Sequence, residues 1–163
     1  MADSKQPYRG TTKPQRMSNL YLARFGWPAT ADTENGPVIV AFAADGALLV
    51  GDAVVVSTVG KVKTATSGAP VGIVVGGIIN GSPAIFGLGS VGYSIPTGSV
   101  VFVAIAGIAF AVTTGTVNIG DQLIHDTSTG GKLKTGTTAG SIFGKALSAS
   151  AISATVTVLV ALS

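Results

Sequence analysis

Few residues of this 163-residue chain could do chemistry, and they are widely spaced. His125 is the sole histidine, and Asp126 follows it in the turn-like stretch Asp126-Thr127-Ser128-Thr129-Gly130. A histidine beside a carboxylate suggests a general base, but a Ser-His-Asp catalyst also needs an exposed nucleophile on a sharp turn. No nucleophile-elbow sequence is present, so His125 reads as a loop histidine. A single histidine builds no His-rich metal site within one chain. Three copies meeting on an axis could bring three together. The seven acids, Asp3, Asp32, Glu34, Asp45, Asp52, Asp121 and Asp126, fall mostly in turn-like sequence, where Asp bonds the local backbone. Nothing favours a glycosidase-type pair among them. With no cysteine, disulfides and thiolate metal sites are excluded.

Two glycine motifs also fall away. Gly87-Leu88-Gly89-Ser90-Val91-Gly92 fits G-x-G-x-x-G. A dinucleotide site needs a helix next and an acid ~20 residues on. Instead Tyr93-Ser94-Ile95-Pro96 follows, and no acid lies between Asp52 and Asp121. Gly130-Gly131-Lys132 and Gly144-Lys145 lack the Walker spacing and the Ser or Thr after lysine. The expectation is therefore no catalytic residue, no cofactor, no metal and no small-molecule substrate. Asn80-Gly81-Ser82 reads as a turn rather than a glycosylation site.

The elements that would position these residues are strands. Hydrophobic residues make up 47% of the chain and charged residues 10%, against ~25% charged in a typical soluble domain. Such a surface must consist of Ser, Thr, Gly and Ala, which desolvate cheaply, so much of it is suited to burial in an assembly. From residue 37 onward the pattern is β: Pro37–Phe42, Leu48–Val50, Val54–Val56, Lys61–Lys63 and Val71–Val75, with Asp45-Gly46 as a two-residue hairpin signal. From Val101 to Val112 the alternation slips by one residue at Gly107, which predicts a bulge or bend. The alternate face there is mostly alanine and lets another layer approach. A last strand carries Val156, Val158, Val160 and Leu162 on one face. No amphipathic helix is predicted in residues 37–163. The longest apolar run, Val100–Val112, is shorter than the ~18 residues a membrane helix needs.

Residues 1–34 form a different region, expected to be an extended arm broken by Pro7, Pro14 and Pro28. Lys5, Arg9, Lys13, Arg16 and Arg24 carry most of the chain's net charge of +3. The arm ends in an aromatic cluster with Tyr21, Phe25 and the sole tryptophan, Trp27. Arg9, Lys13, Arg16, Tyr21, Arg24, Phe25 and Trp27 are the expected partner-interface residues, docking on an acidic protein surface or a sister subunit. Nucleic acid is disfavoured, because the charge is sparse and no recognised binding module follows. The polar start of the chain, without an apolar stretch, predicts no secretory signal.

Residues 35–163 are expected to be a single β domain containing an internal repeat. Gly51-Asp52-Ala53-Val54-Val55 leads to Gly60-Lys61-Val62-Lys63-Thr64 and Val71-Gly72. Gly120-Asp121-Gln122-Leu123-Ile124 leads to Gly131-Lys132-Leu133-Lys134-Thr135 and Phe143-Gly144. The Gly-Asp pairs read as turns, and the Gly-Lys-x-Lys elements as hairpin returns with lysines facing water, which discourages edge pairing.

This Gly-Asp … Gly-Lys-x-Lys pattern resembles a family of small bacteriophage capsid decoration (cement, or head-stabilisation) proteins with glycine-rich β domains. The resemblance implies a compact all-β barrel or sandwich, tulip-like, with an extended N-terminal arm. It also implies a homotrimer at three-fold or quasi-three-fold positions, bridging subunits of the major capsid protein on the outer surface of the virion, after synthesis in the host cytoplasm. It supplies no catalytic residues. Another virion part, such as a head fibre, tail or receptor-binding knob, is the alternative.

Overall fold

The computed structural model describes residues 37–79, 81–85, 91–138, 142–151 and 155–160. The chain is all-β, and no helix occurs among the described residues. Strands β1 (Val38–Ala44) and β2 (Leu48–Leu49) lead to β3 (Ala53–Thr58), β4 (Lys61–Thr64), β5 (Gly72–Ile79), β6 (Ser82–Ile85) and β7 (Ser94–Ile95). The long β8 (Val100–Val112) follows, then β9 (Gln122–His125), β10 (Leu133–Thr135), β11 (Ile142–Ala146) and β12 (Thr155–Val160).

β8 is the spine. Its first half pairs antiparallel with β1, from Val38↔Ala106 to Ala43↔Val100, and also with β5, from Ile73↔Ala104 to Gly77↔Val101. Its second half pairs with β12, from Val160↔Gly107 to Thr155↔Val112. The change of partner falls where the alternation slips. Ile105 is skipped in the β1 register, and Gly107 has φ +89°, a conformation glycine adopts without steric cost. Ladders β8–β1, β1–β4, β4–β3, β3–β5 and β5–β8 run through five strands and return to the first. The layers pack in a sandwich-like arrangement.

The two Gly-Asp segments pair their strands in the same order. β3 lies between β4 and β5, and β9 between β10 and β11, all antiparallel. Val56↔Val62 and Val54↔Thr64 in the first segment match His125↔Leu133 and Leu123↔Thr135 in the second. Gly51 N–H donates to the Val74 carbonyl at 2.9 Å, as Gly120 N–H does to that of Ala146 at 2.9 Å. The parallel contact of Ala44 with Val62 recurs as Thr113 with Leu133. Val50, Asp52, Val56, Gly60, Lys61 and Val75 thus correspond to Ile119, Asp121, His125, Gly131, Lys132 and Leu147.

Two apolar clusters hold the layers. One gathers Leu48, Val54, Val62, Val74, Ile95, Val101 and Val103 inside the five-strand cycle. The other packs Ala53, Ile73, Val75 and Ala104 against Phe110, Leu123, Leu133 and Phe143, with Ala109 and Ala111 between them. On β8, Ala104, Ala109 and Ala111 are wholly buried in this cluster. Each fully buried Val, Leu or Ile contributes about 1.5–3 kcal/mol.

The Asp45-Gly46 hairpin does not form. β1 pairs with β8 and β4, and β2 pairs with β7 through Leu48↔Ile95. The end of β1 is already committed, since Ala44 N–H donates to the Ser99 carbonyl and Asp45 N–H to that of Val62. The local turn signal loses to these longer-range ladders.

Candidate functional site

The arm residues Arg9, Lys13, Arg16, Tyr21, Arg24, Phe25 and Trp27 lie outside the described residues, as do Gly87–Ser90. Among the described residues, the buried polar groups are Asp52, Thr113, His125 and Asp126. Three of them, Asp52, His125 and Asp126, lie at the junction of the two Gly-Asp segments.

The loop between β9 and β10 forms this junction by reaching from the second segment onto the first. Gly131 donates its N–H to the Ala65 carbonyl at 2.8 Å, and its own carbonyl accepts the Ala53 N–H at 2.7 Å. Lys132 Nζ donates to Asp52 Oδ1 at 2.6 Å. Burial pushes the Asp52 carboxyl above its usual value, against the hydrogen bond and charge of Lys132. Gly131 has φ +74°, and a Cβ there would sit 2.7 Å from Asp52 Cγ. Only glycine fits both the turn and the approach.

His125 is in this junction rather than in a loop. It ends β9, is 7% exposed, and its Nε2 lies 2.7 Å from the Ala65 carbonyl, which requires the proton on Nε2. That nitrogen is engaged within the chain, so the arrangement does not present His125 to a shared axis.

Asp126 organises the loop. Its Oδ1 accepts from Ser128 Oγ at 2.7 Å, Ser128 N–H at 3.1 Å and Lys134 Nζ at 3.2 Å, and its Oδ2 from Thr114 Oγ1 at 2.8 Å. The Ser128 hydroxyl first, then Thr114, the Ser128 backbone and Lys134, hold this carboxyl well below the usual carboxylate range despite its burial. A carboxylate so fully bonded is a weak base and a strong fastener. Among the described residues, no three His, Cys, Asp or Glu side chains are grouped to hold a metal ion.

The sequence expectation that the repeat lysines face water holds for Lys61 and Lys63, which are exposed. Lys132 is instead drawn inward to Asp52, while Lys134 stays largely in water and also pairs with Asp126. Spacing alone missed the Lys132–Asp52 pairing, because its partners are 80 residues apart. The available signal was the repeat itself, which carries an acid and a lysine in each copy.

These polar groups join β layers and present no reacting constellation. The model of the XM1 gp53 minor capsid protein family matches residues 18–163. The chain belongs to this family. The XM1 gp53 family is a bacteriophage minor capsid family, so the protein is a structural component of a phage virion. The matched span takes in Tyr21, Arg24, Phe25 and Trp27 and begins after Arg9, Lys13 and Arg16. Among solved structures, the N base of head fiber gp8.5 of bacteriophage phi29 has 12% identity and a TM-score of 0.48, covering 77% of this chain and 95% of that one. Comparison with curated proteins returned no match.

Proposed function

We propose that this protein decorates and stabilises a phage capsid without catalysing a reaction. It bridges major capsid protein subunits from the outer surface as a homotrimer at three-fold or quasi-three-fold positions. Membership of the XM1 gp53 minor capsid family over residues 18–163 is the observation that carries this reading. The low charge content and the committed polar groups at the inter-segment junction agree with a scaffold role. A protein that binds only the assembled lattice stabilises that lattice by linkage, and several weak contacts per oligomer add through effective concentration. Tyr21, Phe25 and Trp27 are the proposed anchors of the arm, with Arg9, Lys13, Arg16 and Arg24 matching an acidic neighbour.

The test is the copy number of this protein relative to the major capsid protein in purified virions, measured by quantitative mass spectrometry. A near-stoichiometric ratio supports lattice-wide decoration. A few copies per particle, or none, overturns it.

A further inference from the structure

The junction inside the chain has two halves, and the positions that build each half recur elsewhere with more exposed side chains. In the first half, a hairpin tip, the second segment buries His125 and Gly131 and sets Lys132 against the first segment. The corresponding tip of the first segment is Val56, Gly60 and Lys61. Val56 is 50% exposed, the neighbouring Val59 is 100% exposed, and Lys61 is exposed. Gly60 has the same φ, +74°, as Gly131.

The second half is a socket. The first segment buries Asp52, with Val75 1% exposed in the cluster that also holds Leu123 and Leu133 of the second segment, whereas Val50, 2% exposed, packs in the first segment's own cluster. The corresponding positions of the second segment are Asp121, Ile119 and Leu147. Ile119 is 73% and Leu147 39% exposed. Asp121 is half-buried, and its Oδ2 accepts the Asn118 N–H at 2.8 Å.

The described residues thus present a basic, apolar tip and an acidic, apolar socket, and the chain already joins one related pair internally. We propose that the Val59-Gly60-Lys61 tip of one copy docks in the Ile119-Asp121-Leu147 socket of a second copy, with Lys61 pairing Asp121 as Lys132 pairs Asp52. The Gly60 carbonyl already accepts the Ala43 N–H at 2.9 Å, so side chains carry the contact between copies. Val59 covers Ile119 and Leu147. Tip and socket are different surfaces, so the contact is heterologous: it closes into a ring or grows into an open chain. This inference does not depend on the capsid reading.

Sedimentation equilibrium of the full-length protein tests it. The wild type self-associates. Lys61→Asp and Asp121→Lys each weaken association at least about tenfold, and the double variant restores it. Lys63→Asp, the same charge change on the same hairpin, leaves association intact. Unchanged circular dichroism melts confirm folding of these surface variants. A wild type that stays monomeric, single variants that associate like wild type, or a double variant that fails to recover each overturns the proposal. A monomer whose Ile119 and Leu147 resist hydroxyl-radical labelling assigns the socket to the chain's own residues 20–27, and likewise overturns it.

Discussion

Lys132 Nζ and Asp52 Oδ1 lie 2.6 Å apart across the junction of the two Gly-Asp segments, with side-chain exposures of 20% and 5%. The pair is the electrostatic centre of a contact whose other members are two Gly131 backbone bonds and the His125 ring. Removing Lys132 leaves the Asp52 charge buried and unpaired.

Lys132→Met is accordingly expected to destabilise the protein by ~3 kcal/mol, and Asp52→Asn/Lys132→Met by clearly less, because replacing both partners removes the uncompensated charge. Urea titrations of the two variants and the wild type measure this. Equal losses in both would show that the pair is no more than a surface contact.

Gly60 and Gly131 share φ +74°, but a Cβ at Gly60 meets nothing within 4 Å, whereas at Gly131 it meets Asp52. Gly60→Ala should cost about 1–2 kcal/mol, the strain of the left-handed conformation. Gly131→Ala should cost more, since it adds the displacement of Asp52. Thermal melts of the pair separate strain from packing, and equal costs contradict the tight approach at Asp52.

Asp126 and Asp52 have opposite acid responses. The Asp126 carboxyl is lowered from 3.8, so its contribution is complete above the unfolded value and is lost as the pH falls through the folded one. The Asp52 carboxyl is raised from 3.8, so its contribution is present below the unfolded value and fades as the pH rises through the folded one. Asp126→Asn should therefore flatten the loss of stability below about pH 4, whereas Asp52→Asn should remove the gain in stability that its protonation brings as the pH falls toward about 4. Unfolding free energies measured from about pH 6 to about pH 2.5 read both slopes.

Leu133 is wholly buried, and Leu147 is 39% exposed. Leu133→Ala should cost ~2–5 kcal/mol through the cavity it leaves, and Leu147→Ala less than about 1 kcal/mol. A large loss at Leu147 in dilute monomer would place it in the core instead.

The strand content was readable because Val and Ile form apolar runs at Val54–Val56 and Val71–Val75 and large residues alternate through Val101–Val112, and the phase slip at Gly107 falls at the handover of β8 from β1 to β12. Pairing was less readable. Asp45-Gly46 has the residues of a hairpin turn, yet β1 lies beside β8, a ladder whose partners are about sixty residues apart and leave no local mark. His125 looked like a loop residue because the polar run after it hides that it closes β9. The Lys132–Asp52 pair was hidden for a related reason: residue type indicates charge, but only the packed fold brings two distant turns together. The arm residues Arg9 to Trp27 fall outside the described part of the chain.

β8 also has a mechanical consequence. Its 13 residues run unbroken from the ladders with β1 and β5 into the ladder with β12. Tension that draws the two halves apart along this strand is carried by covalent backbone, and the flanking ladders must slide past it in shear, breaking many hydrogen bonds at once. A linker between two separate halves would instead yield first. The shared strand makes the molecule a tie bar whose strong axis is the direction of β8.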